Sequence, residues 1–377
     1  MKTAINVIRT LEDAGYEAYM VGGAVRDFLL GKKPDDFDVA TNAAPEKVKE
    51  LFNRTVDTGI AHGTVLVLLD GEGIEVTTFR TDGLYTDMRR PDSVEFVQSL
   101  EEDLKRRDFT INAMAMSEDL HVIDLFGGKN DLKKRLIRAV GNSDKRFQED
   151  ALRMLRAVRF SGQLDFEIDS ETLASIRRQA HLIRSVAVER IKTELDKIFA
   201  HKHTARSMAY LVHSGLSSNL PAGTLFELDW SNYKSCGDHS MGWCYMLYRQ
   251  EKKIEDIGDY KFSNDEKRLM AKALEAARLE EWNAWTFYVF TARELAIARF
   301  LSGRDVDVQL AKKSLPIQSK KELAVTGNDL MHWSGNKQGP WLKKWLADIE
   351  QEIVFARLEN NKEQIKGWFS HEYHRHA

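Results

Sequence analysis

Two aspartates two residues apart, Asp36 and Asp38, close the stretch Met20-Val-Gly-Gly-Ala-Val-Arg-Asp-Phe-Leu-Leu-Gly-Lys-Lys-Pro-Asp-Asp-Phe-Asp-Val-Ala-Thr41. In an extended strand, residues i and i+2 share a face with α-carbons roughly 6–7 Å apart, so their carboxylates converge on one point. Hard oxygen donors placed that way suit a divalent cation such as Mg²⁺. Upstream, Gly22-Gly23 interrupts an apolar run. Glycine lets backbone N–H groups approach phosphate oxygens, and the helix that follows offers its N-terminus to the same charge. Separately, a glycine pair and an Asp-x-Asp are both common in turns. Joined in this order over so short a span, they point to a site for a metal-bound polyphosphate.

Phosphoryl transfer with two cations calls for a third carboxylate on a neighbouring strand, since three acids can share two Mg²⁺ ions about 3.5–4 Å apart. Thr64–Leu69 and Ile74–Phe79 flank Asp70-Gly71-Glu72-Gly73 and predict a hairpin. Glu75, in its second strand, is the candidate; Asp70 and Glu72 fall in the turn. Farther on stand Arg106-Arg107-Asp108. Asp108 is placed to cap a helical turn, which leaves two guanidinium groups at the positive end of that turn, suited to a ribose and phosphates.

Asp150 and Arg153 are three apart on a helix expected from Asp144 to Phe160, with Glu149 in support. As an isolated pair they would be a surface ion pair worth a few tenths of a kcal/mol. Facing a nucleobase they could do more. Cytosine and adenine each present an exocyclic amino donor beside a ring-nitrogen acceptor; uracil and guanine present a carbonyl beside a ring N–H. An aspartate acceptor next to an arginine donor matches the first two bases and mismatches the others twice. At about 1–3 kcal/mol per buried mismatch, that gives roughly 10²–10⁴-fold discrimination without a template strand.

The elements that must hold these groups follow from the pattern. Ile5–Ala14 reads as a helix, Tyr16–Val21 as a strand, and Pro45 opens a helix running to about Phe52. Thr81–Asp92, rich in Arg and Asp, has no hydrophobic period and reads as a mobile polar loop placed to act as a gate. Val122–Gly128 reads as a strand ending in a glycine turn and is assigned no chemistry. Beyond Gly141 the period is helical almost to the end, which places a domain boundary near residue 140. Arg190 and Glu194, four apart, can brace each other or the helix carrying Asp150. The aromatic stripe Trp282, Trp285, Tyr288 and Phe290 reads as core. Helix starts at Gly327 and Gly339 beside Lys337, Lys343 and Lys344 suit an RNA backbone.

The fold class expected is α+β: a head with a small mixed β-sheet and helices, then an all-α remainder. With 43% hydrophobic residues the chain can bury several cores, and with 30% charged residues and no long apolar run it is expected to be a cytoplasmic protein without a membrane span or signal peptide. Two cysteines, Cys236 and Cys244, support neither a metal finger nor a disulfide framework and read as buried thiols. A net charge of −3 does not announce a nucleic-acid binder, so an RNA substrate would require positive charge gathered on one face.

GGAVRDFLLGKKPDDFDVAT resembles the signature of the class II nucleotidyltransferases, the group of bacterial CCA-adding enzymes and bacterial poly(A) polymerases. RRDFTINAMAM is similar to that family's second motif, the Val122–Leu132 stretch to its third, EDALRMLRAVRF to its fourth and Val188–Leu195 to its fifth. The resemblance implies that Asp36 and Asp38 bind metal, with Glu75 completing the catalytic acids. It implies nucleotide binding by Gly22, Gly23, Arg26, Arg106, Arg107, Asp108, Asn112, Asp150, Arg153, Arg156 and Arg159. It further implies Mg²⁺ as cofactor, CTP and ATP as substrates, tRNA as partner, and untemplated addition of CCA to the tRNA 3′ end with release of pyrophosphate. Four modules are implied: a catalytic head (1–140), a neck carrying the base-reading helix (141–200), a body (201–320) and a tRNA-binding tail (321–377). The loop at 82–92 is implied to help the switch from C to A addition. Competing readings are an A-only or CC-only enzyme, a poly(A) polymerase, and a non-catalytic tRNA-binding protein; the last would be expected to lose a metal carboxylate, and both are kept. Sequence leaves the oligomeric state open.

Overall fold

Val7, Ile8 and Leu11 recur at helical spacing, and the helix they define, α1 (Lys2–Asp13), buries all three on a β-sheet. A computed structural model of the chain describes residues 1–59, 63–82 and 94–376. The sheet comprises β1 (Ala18–Val21), β2 (Asp38–Thr41), β3 (Thr55–Gly59), β4 (Thr64–Leu69), β5 (Glu72–Thr78), β8 (Ala115–Met116) and β9 (Val122–Ile123), while β6 (Arg80–Asp82) and β7 (Val94–Phe96) pair apart from it. Its order is β3-β4-β5-β2-β1-β8-β9. Every neighbouring pair is antiparallel except β2 and β5, which run parallel. The expected hairpin is β4–β5, closed more tightly than the sequence suggested: Asp70 (φ 52°) and Gly71 (φ 81°) make the turn, and Glu72 already belongs to the strand. Two successive left-handed residues match the twist of the flanking strands. The polar loop expected at 82–92 lies, from residue 83, outside the described residues.

Between β1 and β2 runs α2 (Gly23–Leu29), ended by Gly31 at φ 68°. Then come α3 (Pro45–Leu51), α4 (Leu100–Lys105) and α5 (Gly128–Lys134). Asp124 caps α5 by accepting from the N–H groups of Gly128 and Lys129, a packing role consistent with the absence of assigned chemistry.

The helix expected from Asp144 to Phe160 is two helices, α6 (Ser143–Glu149) and α7 (Leu152–Leu164). Asp150 causes the break. Its backbone is extended, and its carboxylate accepts from the N–H of Leu152 at 3.0 Å, so it starts α7 from outside the helix. Because α7 packs against both α9 (Val188–Ala200) and α10 (Thr204–His213), which follow α8 (Ser170–Gln179), nearly all of it is buried, Arg153 and Arg159 included. These elements belong to one unit, Met1–Gly242 with Ile257–Lys261. The four-module division expected from sequence is finer than this partition.

The second unit, Trp243–Asp256 and the chain from Phe262, is helical. Capping boxes at Ser263/Glu266, Asn283/Thr286, Thr291/Glu294 and Thr326/Asp329 define where its helices begin. Trp282 packs on a core with Phe290 and Leu295, while Trp285 and Tyr288 pack on another with Ile349 and Phe369, so the aromatic stripe is core as expected. Helices do start at Gly327 and Pro340, with Lys337, Lys343 and Lys344 exposed. Of the two free cysteines, Cys244 is buried as expected and Cys236 is exposed.

Candidate active site

Asp38 opens β2 and is the register partner of Glu75 on β5. Parallel partners lie about 4.8 Å apart on one face, so two carboxylates are held side by side by backbone pairing alone. Asp36 is not in the strand, as the sequence suggested, but in the irregular segment leading into it. Asp38 faces the cleft, yet partial desolvation, the charge of Glu75 and the charge of Asp36 raise its carboxyl above the ordinary range, with Arg107 opposing them. Among the described residues no ion pair or hydrogen bond reaches the side chains of these three acids. Their oxygens do not all lie within 4.8 Å of one another, so the group is open rather than a closed cage. Uncompensated hard carboxylates in this arrangement fit a divalent cation: Asp36 and Asp38 would hold it, with Glu75 alongside.

A cleft of about 720 Å³ opens over this floor. Gly22, Gly23, Arg26, Asp36, Asp38, Arg106, Arg107, Asp108, Asn112, Asp150, Arg153, Arg156 and Arg159 all line it. Glu75, beside Asp38 on the neighbouring strand, does not. The glycine pair acts by close approach: Gly22 has φ 72°, and a β-carbon there would stand 3.0 Å from Arg107 Nη1. With only seven residues, α2 adds little as a helix dipole.

Asp108 does not cap a helix. The turn after it is a single 3₁₀ turn, Thr110–Asn112, whose N-cap is Phe109. Asp108 instead accepts from the Phe109 N–H (2.8 Å), Asn112 Nδ2 (3.1 Å) and Arg156 Nε (2.8 Å). Burial alone would raise its carboxyl, but Arg156 and these hydrogen bonds hold it down at about 2. Asn112 passes the connection on through its Oδ1, which accepts from Arg26 Nη1 at 2.8 Å, and Arg26 pairs with Asp27. A continuous chain of charge-assisted bonds, Asp27–Arg26–Asn112–Asp108–Arg156, therefore ties α2 to α7 across the cleft.

On the α7 wall, Arg153 Nη1 donates to Glu149 Oε2 (2.6 Å) and Nη2 to the Arg106 carbonyl (3.0 Å), so Glu149 helps hold the Arg153 side chain in place. Asp150 Oδ2 accepts from Arg190 Nη2 at 2.8 Å. One turn farther along α9, Glu194 pairs with Arg159 at 2.6 Å, both buried. Arg190 and Glu194 thus brace α7 and the Asp150 turn that precedes it.

Sequence reasoning missed Phe160, Gln163 and Lys197, which also line the cleft. The Phe160 ring lies under the guanidinium groups of Arg159 (4.0 Å), Arg26 (5.4 Å) and Arg156 (5.4 Å). Only the i+4 spacing of Phe160 from Arg156 hinted at this. Overall the lining carries eight cationic and six anionic side chains in a chain of net charge −3, so positive charge is gathered locally.

The family model described as Poly A polymerase head domain matches residues 18–138, that for the "Probable RNA and SrmB- binding site of polymerase A" matches 165–224, and that for tRNA nucleotidyltransferase domain 2 matches 238–369. The chain is 42% identical to a CCA-adding enzyme of Bacillus cytotoxicus, with 97% of each chain covered, and 44% identical to one of Levilactobacillus brevis, with 94% of each covered. Its fold matches the crystal structure of the Bacillus stearothermophilus CCA-adding enzyme in complex with CTP at a TM-score of 0.87 and 36% identity, covering 100% of this chain and 98% of that one. It also matches the fold of the Thermotoga maritima CCA-adding enzyme complexed with tRNA, at a TM-score of 0.65 and 21% identity, covering 98% and 94%.

Proposed function

The chain belongs to the family of CCA-adding enzymes, and from that premise we propose that it completes the 3′ end of tRNA with C, C and A, taking CTP and ATP and releasing pyrophosphate. The 3′-hydroxyl of the RNA attacks the α-phosphorus, the bond to the β-phosphate breaks, and the leaving pyrophosphate carries the charge away. Mg²⁺ bound by Asp36 and Asp38 beside Glu75 would neutralise the triphosphate and lower the proton affinity of the attacking hydroxyl. Arg106 and Arg107 bind the ribose and phosphates, Gly22 and Gly23 let the chain approach them, and the Arg26–Asn112–Asp108–Arg156 chain fixes the cleft walls.

Base choice falls to Asp150 and Arg153. Arg190 orients the Asp150 carboxylate, and Glu149 with two backbone carbonyls fixes the Arg153 fork, so the edge offered to the base is rigid. We assign residues 1–140 to a catalytic head, 141–200 to the base-reading neck, 201–320 to a body and 321–377 to a tail that holds tRNA through shape and phosphate contacts. Among the described residues no helix is long and apolar enough to cross a membrane, and we assign the enzyme to the cytoplasm.

The observation that carries this reading is that paired carboxylates and the Asp150–Arg153 edge border one cleft. Its test is incorporation of each labelled nucleotide, with Mg²⁺, into tRNA ending before CCA and into tRNA ending in CC. CTP should enter the first and ATP the second; entry of UTP into the first at the rate of CTP would overturn the base-reading assignment, and failure to extend the first at all would reduce the activity to A addition.

A further inference from the structure

Adjacent arginines leave the backbone in different directions, and Arg106-Arg107 converge only because Asp103, one turn earlier on α4, collects both. Asp103 is fully buried, at 0% exposure. Its Oδ1 accepts from Arg106 Nε (3.0 Å) and Nη2 (2.7 Å), and its Oδ2 accepts from Arg107 Nη2 (3.1 Å). Burial would raise this carboxyl, but Arg107 and Arg106 outweigh it and hold it below its ordinary range. Arg106 thus clamps the carboxylate, and the remaining oxygen is aimed at Arg107.

The other side of Arg107 faces the site. Its Nη1 lies 3.0 Å from where a β-carbon on Gly22 would be, and its charge reaches Asp38. Its Nε is buried with no hydrogen-bond partner. A guanidinium pinned at Nη2 by Asp103, with Nη1 held against Gly22 in the cleft lining, is set to bind an anionic ligand. A long side chain ordered in advance also spares the entropy of ordering it on binding.

We propose that Asp103 is a positioning residue for the nucleotide: it holds Arg107 between the glycine pair and Asp38, oriented to receive the triphosphate. The proposal rests on the reading of the cleft as the nucleotide site. Asp103→Asn keeps the shape, removes the charge and turns one oxygen into a donor facing a donor.

The test uses the full chain with Mg²⁺ and tRNA lacking CCA, measuring steady-state rates against CTP, ATP and tRNA for Asp103→Asn, Arg107→Ala and the double variant. Asp103→Asn should raise the KM for both nucleotides about tenfold, as loss of an orienting partner does, and leave the KM for tRNA within about twofold. In the double variant Asp103→Asn should add nothing to the nucleotide KM of Arg107→Ala, because the group it positions is gone. Additive losses, or an unchanged nucleotide KM in Asp103→Asn while Arg107→Ala raises it, overturn the proposal. An unchanged nucleotide KM in Arg107→Ala overturns the reading of the cleft instead. Should Asp103→Asn fail to fold, Asp103→Glu keeps the charge but displaces it by a methylene, and the same comparison with Arg107→Ala decides.

Discussion

Asp38 and Glu75 face each other across the one parallel strand pair of the head sheet, in register from Asp38–Glu75 through Thr41–Thr78. Two like charges fixed by backbone pairing, with Asp36 adding a third, would be relieved by a bound divalent cation. Asp38→Ala should therefore abolish transfer while leaving tRNA binding intact. A metal supplies several kcal/mol of charge stabilisation, so a loss on the order of 10³-fold or more is expected. Primer extension alongside a filter-binding titration checks it, and extension at near-normal rate would show the metal site misplaced.

Asp150→Asn turns part of the edge proposed to read the base from acceptor to donor. Discrimination between CTP and UTP should fall by about 10–10²-fold, the value of one buried mismatch, while total turnover falls less. Competition between the two nucleotides for the same tRNA reports the ratio directly.

Arg159 and Glu194 form a buried pair at 2.6 Å. Glu194→Gln leaves an unpaired buried guanidinium and should cost about 3–5 kcal/mol. Replacing both partners with apolar residues of similar volume should recover most of that. Urea unfolding followed by circular dichroism measures both, and equal losses in the single and double variants would contradict the assignment.

His201 is held down at about 4, first by burial and then by Arg159 and Lys197, against the opposing charge of Glu194. A histidine protonated more readily when unfolded destabilises the fold in acid. Its penalty is absent above pH 6.5 and grows as pH falls from 6.5 to about 4. Asp108, held at about 2 against an ordinary 3.8, acts lower: its stabilisation is present above about pH 4 and lost as pH falls toward 2. The melting temperature should thus fall in two successive ranges; His201→Gln should flatten the upper one and Asp108→Asn the lower.

Much of the head was legible because short-range patterns dictate it. Gly22-Gly23 and the β4–β5 alternation follow from local rules, and strand register puts Glu75 beside Asp38, whereas Asp36 lies before β2 rather than in it. The division of the helix expected over 144–160 into α6 and α7 was not legible, since an aspartate before a leucine run reads equally as helix interior or helix start. Asp108 was misjudged because its partners, Asn112 and Arg156, are tertiary. Asp103 was invisible for the same reason. In Glu101-Glu102-Asp103 the three acids look alike, and only packing decides that Asp103 is buried while Glu101 is exposed.

The order of the nucleotides added reports base choice most directly. With CTP, ATP, UTP and GTP present together at equal concentration, Mg²⁺, and tRNA lacking its 3′ end, sequencing of the products should read C, C, A, with no fourth nucleotide. Uridine or guanosine at the first or second position at frequencies near that of cytidine would mean that Asp150 and Arg153 do not read the base.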